Sequence, residues 1–475
     1  TEIWISEAQE RMVLSVLPGN LDEIMEIFES ENVEATVIGE YSGDGVLRVK
    51  YEDNVVAEMG MDFVHHGLPR FQETGCWSPP EHPDPFVDGS YEGAGEPAKE
   101  ACIAVLRGQE DYTDSLKRIL AAPNVRSKEW IVRQYDHEVQ GGSVLKPLVG
   151  EENDGPGDGA VCAPVLGSQK GIAVACGMNP KYGDIDTYHS AASAIDEALR
   201  NIVAVGGNLD ETAILDNFCW GNTRRPEQLG TLLRAALACY DYATAFGVPF
   251  ISGKDSLNNE FNTGEEVIAI PPTLLISAIS VMPDVTNAVS MDLKQPGNPV
   301  YLVGATYPEL GGSHYLELFD LKGQTVPQVR SDEAYRTMKA VSAAIDRDFV
   351  IACHDLSEGG LAVGAAEVAF SGLNGLEIDL GEVAFRGDNE LKRDDVLLFS
   401  ESNSRFLVEV PEDAPQKFEA LFEGLAVARI GRVTDEDRFV VRGLEGSSVI
   451  DSDLESLKSA WQTPLPGTQQ GVNSH

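Results

Sequence analysis

The sequence is poor in positive charge: 35 Lys and Arg stand against 77 Asp and Glu, and the formal net charge is −42. Such a chain repels nucleic acid and anionic lipid, which excludes a charge-driven role on either. The excess goes beyond what solubility requires and reads as adaptation to high salt, where screening shortens self-repulsion to a few ångströms. The expected setting is a salt-loving cytoplasm. No run of 18 apolar residues and no charged-then-apolar leader is present, so a soluble, intracellular protein is expected. The seven cysteines (Cys76, Cys102, Cys162, Cys176, Cys219, Cys239, Cys353) form no CxxC pair and no zinc-type spacing. Buried reduced thiols are the expectation, rather than disulfides or a zinc site. What is there is ample apolar material, 43% of 475 residues, enough to fill the cores of about two to four domains.

The chain repeats itself. Residues 6–16 read SEAQERMVLSV and residues 400–410 read SESNSRFLVEV. Each run is followed by an amphipathic stretch with helical spacing: Leu21, Ile24, Met25 and Phe28 in the first, Phe418, Leu421, Phe422 and Leu425 in the second. VIGEYSGDGVLRV (37–49) and RIGRVTDEDRFVV (429–441) then each read as a strand, a polar turn and a strand. Two copies of a strand-helix-hairpin unit are expected. The second has roughly 100 residues of its own domain before it, from near Gly297, whereas the first has five. The chain therefore reads as the carboxyl-terminal part of a longer, internally duplicated protein.

Between the copies, residues 69–100 are rich in Pro, Gly and acidic residues and read as a linker or draped segment, followed by partly helical stretches at 101–122 and 126–140. From Asp154 to Pro283, apolar strands such as 171–178 and 273–282 alternate with helices at 189–205 and 229–246, the pattern of an α/β domain. Residues 463–475 are polar and read as a disordered tail.

Five stretches could carry chemistry. GPGDGAV (155–161) puts Asp158 in a glycine turn at the head of a strand. In SAASAIDEALRNIVAVGG (190–207), Ile195, Leu199 and Ile202 form the core face while Glu197 and Asn201, four apart, share another. A carboxylate and an amide oxygen on one face suit a hard cation such as Mg²⁺; an ordinary solvated face is the plainer reading. LDNFCWGNTRRP (215–226) sets Asp216 before a turn, and VPFISGKDSLNNEF (248–261) ends a strand at Gly253, Lys254, Asp255 and Ser256. The second is not a P-loop, because Gly247 lies one residue too far back and Asp255 replaces the metal-binding hydroxyl. Its N–H groups and Lys charge still suit phosphate. In ACHDLSEGGLAVGAAEVAFSG (352–372) a buried strand meets a polar turn and then a small-residue helix from Leu361. The paired glycines leave N–H groups for an anion, Asp355 can reach a metal, and Ser357 can donate to phosphate. His354 is a candidate base, but a histidine at a strand end is more often a hydrogen-bonded structural group. No Ser-His-Asp spacing, HExxH or dinucleotide GxGxxG is present.

In this order SEAQERM, GDGAV, DEALRNI, LDNFCWGN, SGKDSLNNEF and HDLSEGGL resemble phosphoribosylformylglycinamidine synthase, the synthetase subunit of purine biosynthesis in its small, haloarchaeal-like form. The resemblance covers residues 1–68 and 126–445. It implies an α/β fold of α+β layers: two tandem aminoimidazole-ribonucleotide-synthetase-like modules, each an N-type domain followed by a C-type domain, the first truncated. The implied domains are 1–68, the remainder of the first C-type domain; 69–125, a linker and helical segment; 126–293, the second N-type domain; 294–445, the second C-type domain; and 446–475, a tail.

The implied reaction is ATP-dependent. The amide oxygen of formylglycinamide ribonucleotide is phosphorylated, and glutamine-derived ammonia displaces the phosphate to give the amidine. By resemblance Glu7, Ala8 and Gln9 match a substrate-binding Glu-Ser-Gln run, with Ala8 lacking the hydroxyl, and Ser256 matches a substrate contact. Asp216 and Gly253 match nucleotide contacts. Lys254 stands where the family has a Mg²⁺-binding Asn; an ammonium cannot ligate a metal, so it is expected on phosphate. Asp158, Glu197, Asn201 and Asp355 match Mg²⁺ ligands, and Ser357 a nucleotide contact, of a pseudosymmetric site that holds a structural ADP in long members. The family's catalytic His and an ATP-contacting Tyr belong to the amino-terminal module that this chain lacks. A separate glutaminase subunit and a small bridging subunit are the implied partners. From a different class, a non-catalytic nucleotide-binding scaffold or regulatory half of the synthetase is the alternative.

Overall fold

A computed structural model describes residues 2–9, 11–135 and 137–464. The chain divides into two compact units, Thr1–Gln72 and Glu73–His475. Of the segment expected as a disordered tail, 463–475, all but the first two residues lie outside the described residues.

In the first unit the apolar spacing at 21–28 produces the helix Leu21–Ser30, followed by an antiparallel hairpin, Val46–Tyr51 on Asn54–Gly60, and the helix Met61–His66. The strand expected within 6–16 is not formed: residues 11–17 join no ladder among the described residues, and Met12, Val13 and Leu17 are exposed. The counterpart of this run, Phe406–Glu409, is held between Pro299–Val303 and Ala352–Asp355. Among the described residues the first unit offers no such neighbours, and a strand without ladder partners leaves its polar groups to water.

The second unit holds two large sheets. The first runs in the order Ser143–Leu145, Ala160–Cys162, Gly171–Met178, Thr273–Met282, Thr212–Cys219, Phe250–Ser256, with only the last pair parallel. The helices Thr187–Ala204 and Pro226–Phe246 cover one of its faces. The first is capped by Asp186, which accepts from the N–H groups of Tyr188 and His189; the second is closed by Gly247 at φ 67°. On the other face Val174, Met178, Ile251 and Val281 are exposed.

The second sheet runs Ala352–Asp355, Phe406–Glu409, Pro299–Val303, Val427–Thr434, Gly375–Asp379, Phe439–Arg442, Ser448–Ser452. Around Pro299–Val303 it is buried on both faces, as the alternation along that strand shows: Tyr301 and Val303 join the core beneath Thr187–Ala204, while Val300 and Leu302 join a core capped by Gly360–Gly372 and Leu454–Trp461.

Several expectations need correction. Val427–Thr434 and Phe439–Arg442 do not pair with each other as a hairpin; both flank Gly375–Asp379. Residues 69–125 are more than a linker: Cys102, Val105, Leu116, Ile119 and Leu120, from Glu96–Arg107 and Thr113–Leu120, are core residues, and even the Pro-rich part is anchored, Asp84 accepting from the backbone N–H of Gln324 at 2.7 Å. Nor is 446–464 a tail. Ser448–Ser452 pairs with Phe439–Arg442, and Leu454–Trp461 buries Leu454, Leu457 and Trp461. The repeat thereby extends past its expected end, since hairpin plus helix at 439–461 matches hairpin plus helix at 46–66, each ladder carrying a register shift. All seven cysteines are free, but Cys76 and Cys176 are exposed rather than buried.

Candidate functional site

Three segments of the second unit meet at one place. The turn before Ala160–Cys162 carries Asp158, the middle of Thr187–Ala204 carries Asp196, Glu197, Arg200 and Asn201, and the Ala352–Asp355 strand end with the turn after it carries His354, Asp355, Ser357 and Glu358. Gly359 and Gly360, at φ 75° and 62°, bend the chain into the helix Gly360–Gly372, and a Cβ at Gly360 would lie 2.4 Å from the Ser400 carbonyl oxygen. The helix Thr187–Ala204 is buried on nearly every side, so the solvated-face reading of Glu197 and Asn201 fails.

The charges are held pairwise. Asp158 Oδ1 accepts from His354 Nδ1 at 2.7 Å and from the Asp355 N–H at 3.1 Å. Burial pushes the Asp158 carboxyl up to about 6 against the pull of His354. His354 Nε2 faces Glu367 Oε2 at 3.1 Å. Burial alone would lower this imidazole, but the two carboxylates beside it, Asp158 first, raise it well above its ordinary value. Asp355 Oδ2 receives Arg200 Nε at 3.1 Å, Arg200 Nη2 at 3.0 Å and the Ser357 hydroxyl at 2.5 Å. Burial opposes ionisation of Asp355, and the Arg200 guanidinium, His354 and the Ser357 hydroxyl together outweigh it, holding the carboxyl below its usual range. Arg200 also pairs with buried Asp196 through Nη1. Glu197 Oε2 accepts from the Met178 N–H at 3.1 Å and from the Asn179 amide. Burial, with Glu358 and Asp355 nearby, raises the Glu197 carboxyl well above its ordinary value. Asn201 donates through Nδ2 to the Cys176 carbonyl at 3.1 Å, and its Oδ1 is buried without a partner among the described residues.

A common pattern links Asp158, Glu197, Asn201 and Asp355. Each is tied to the scaffold through one atom of its head group, and the remaining oxygen, respectively Oδ2, Oε1, Oδ1 and Oδ1, takes no part in those bonds, while the Asp158 and Asp355 carboxyls also face each other within hydrogen-bonding reach. Carboxylates kept close, two of them (Asp158 and Glu197) with raised proton affinity, beside an orphaned buried amide oxygen, are what a hard divalent cation relieves. These four residues fit Mg²⁺. Ser357 lies at the edge of the same cluster, also receiving Arg200 Nη2 at 2.8 Å.

A second group sits on the far edge of the first sheet. Asp216 lies in the strand before the turn, as expected, whereas Gly253, expected just past its strand, is inside it: the two are paired in register in the parallel ladder Thr212–Cys219 with Phe250–Ser256. Gly253 is required by contact, because a Cβ there would lie 2.5 Å from Asp216 Oδ1. Burial raises the Asp216 carboxyl from its ordinary value. Lys254, exposed on the edge strand, donates to the Ser256 hydroxyl. Glu7, Ala8 and Gln9 belong to the first unit, where they are exposed and the Gln9 amide donates to the Glu7 carbonyl at 3.2 Å.

The model for the AIR synthase related protein C-terminal domain matches residues 1–52 and 295–443, and that for the N-terminal domain matches residues 156–279. The chain belongs to the AIR synthase related family. Within this family it is 33% identical to the phosphoribosylformylglycinamidine synthase subunit PurL of Thermococcus sibiricus, over 97% of this chain and 58% of the relative. It is 32% identical to that of Alkaliphilus metalliredigens, over 98% of this chain and 58% of the relative. It thus spans less than two thirds of the length of the curated relatives it matches. Among solved structures, phosphoribosylformylglycinamidine synthase II of Thermotoga maritima shares the AIR synthase related fold at a TM-score of 0.55 and 17% identity, over 76% of this chain and 54% of that one. A T. maritima PurL complexed with FGAR gives 0.54 at 19% identity, over 66% and 49%.

Sequence reasoning missed Arg200, Asp196 and Glu367. A signal for the first two was present: the small and apolar residues around Asp196 and Arg200 leave the 190–207 helix no polar face wide enough for solvent, so charges four apart on it must pair inside.

Proposed function

We propose that this chain is the carboxyl-terminal portion of a phosphoribosylformylglycinamidine synthase, converting formylglycinamide ribonucleotide to the amidine with ATP and glutamine-derived ammonia. The observation that carries this reading is the set of four oriented oxygen donors, Asp158, Glu197, Asn201 and Asp355, in a chain similar over nearly its whole length to PurL subunits. These four would hold Mg²⁺ against the phosphates of a bound nucleotide, an ADP in the pseudosymmetric site, and the cation would neutralise phosphate charge there. Ser357 adds a hydroxyl donor. Asp216, Gly253 and Lys254 would face the reacting nucleotide, and Glu7, Ala8, Gln9 and Ser256 the ribonucleotide. No covalent nucleophile is needed, since phosphorylation of the amide oxygen and displacement of phosphate by ammonia require positioning and charge neutralisation. The residues that complete the reacting centre belong to an amino-terminal module. The uncovered apolar face of the first sheet, Val174, Met178, Ile251 and Val281, suits a second N-terminal-type domain, and only one such domain is matched here.

A separate glutaminase and a small bridging subunit are the proposed partners, in keeping with the T. maritima assembly named PurLQS, which shares this fold at a TM-score of 0.50, 16% identity, over 80% of this chain and 55% of that one. No helix among the described residues is long and apolar enough to cross a membrane. With a net charge of −42, we place the protein in a high-salt cytoplasm.

Calorimetric titration of ADP with Mg²⁺ tests the nucleotide part. One site per chain is expected. Glu197→Gln keeps an oxygen to accept from Met178 and Asn179 but turns the free oxygen into an amide nitrogen, so affinity should fall at least tenfold in a normally folded variant. Unchanged affinity would remove this cluster from nucleotide binding.

A further inference from the structure

We propose that His354 is a positioning residue for the cation site: it fixes the Asp158 carboxylate for the metal, is itself fixed by Glu367, and does not ligate the metal. The inference rests on the cation reading above and concerns how that site is held. Asp158, His354 and Asp355 lie close enough to hold a metal ion as a three-residue cluster with one imidazole ligand, which would favour a softer transition metal over Mg²⁺. The geometry of the imidazole argues otherwise.

Both ring nitrogens are already committed to carboxylates, Nδ1 to Asp158 at 2.7 Å and Nε2 to Glu367 at 3.1 Å. Whichever tautomer is present, neither nitrogen turns a lone pair toward the site. The ring is buried, with its side chain 9% exposed, and sits on the edge strand of the second sheet opposite Leu407, so it cannot swing out to ligate without losing both contacts. Asp355 Oδ2 is likewise committed to Arg200 and Ser357. What remains for a cation is oxygen only: Asp158 Oδ2, Glu197 Oε1, Asn201 Oδ1 and Asp355 Oδ1. The carboxylate–imidazole–carboxylate chain from Glu367 through His354 to Asp158 has the form of an outer-shell relay that locks a ligand's orientation, a role whose loss costs about 10- to 100-fold in metal affinity. The Asp355 N–H, donating to the same Asp158 oxygen at 3.1 Å, adds a second constraint. His354 and Asp355 are adjacent, so the strand end supplies both a metal-facing carboxylate and the group that orients its partner.

The two amide replacements of histidine separate the roles, since the Asn amide nitrogen falls near Nδ1 and the Gln nitrogen near Nε2. Mn²⁺ binding to the full chain, followed by electron paramagnetic resonance with and without ADP, gives the affinity, and the nitrogen modulation of the bound Mn²⁺ reports directly on imidazole ligation. The expected result is no histidine nitrogen coupled to Mn²⁺ in the wild type, affinity within about threefold of wild type for His354→Asn, and a loss of about 10- to 100-fold for His354→Gln, with thermal unfolding confirming that both variants fold. A histidine coupling to bound Mn²⁺, an unchanged affinity in His354→Gln, or equal losses in the two variants would each overturn the positioning role while leaving the cation site standing. Absence of Mn²⁺ binding by the wild type would overturn the cation reading and this inference together.

Discussion

Arg200→Met will be strongly destabilising, by about 3–5 kcal/mol, the usual loss when one partner is removed from a buried ion pair. The side chain is 2% exposed and its guanidinium answers two buried carboxylates, Asp196 and Asp355, from one position. Methionine fills much of the volume but removes the guanidinium from both acids, leaving Asp355 with only the weaker pull of His354. Linkage gives the pH dependence. Asp355 is held below its ordinary value of 3.8 in the folded protein, so its stabilising contribution is present at neutral pH and is lost as pH falls through the lower, folded value. Methionine removes that contribution and leaves a carboxyl that prefers its proton. The gap between variant and wild type should therefore be widest near pH 7 and narrow toward pH 4. Urea unfolding at several pH values in high KCl measures it; a loss under 1 kcal/mol at pH 7 would mean that the cluster is hydrated and loosely held.

Trp461→Ala will cost a similar amount, about 3–5 kcal/mol, as other buried Trp truncations do. The indole is 2% exposed, packs on Phe370 at 5.4 Å between ring centroids, and donates from Nε1 to the Val125 carbonyl at 3.1 Å. Its helix is tied down further by Lys458, 2.9 Å from Asp154. Phe370 lies on Gly360–Gly372, the helix that follows the polar turn of the candidate site. A cavity at Trp461 should thus loosen that turn as well as the last helix, visible as faster amide exchange at Ser357–Leu361. A loss within 1 kcal/mol would return residues 446–464 to the status of a draped tail.

The sequence made the architecture of the second unit legible because its signals are periodic and local. Alternation placed the strands Gly171–Met178 and Thr273–Met282, and the self-match of 6–16 with 400–410 revealed the duplication. Long-range pairing decided the rest. The run at 6–16 has the pattern of a strand but no ladder partner among the described residues of its unit, whereas Phe406–Glu409 has two. Gly253 looks like a residue past its strand because Gly favours turns, yet it serves to admit the Asp216 carboxylate across a parallel ladder. The last helix was hidden by its acidic surroundings, although Asp453 capping Ser456 and the spacing of Leu454, Leu457 and Trp461 were readable. At the candidate site the oxygen donors stood out by residue type. The groups that aim them, Arg200, His354 and Glu367, act through contacts between residues more than a hundred positions apart, which no local pattern encodes, apart from the short-range His354–Glu367 pair.

The central claim is that this chain supplies part of an ATP-dependent amidine synthase whose reacting centre is completed elsewhere. The direct measurement is ADP release in high KCl with Mg²⁺, ATP, formylglycinamide ribonucleotide and ammonium chloride, first for the chain alone and then with the amino-terminal portion of a PurL relative added. The account predicts no ribonucleotide-dependent release by the chain alone and release matched by amidine formation once the second portion is present. Ribonucleotide-dependent turnover by the chain alone, or ADP release from the mixture that does not depend on the ribonucleotide, would contradict it.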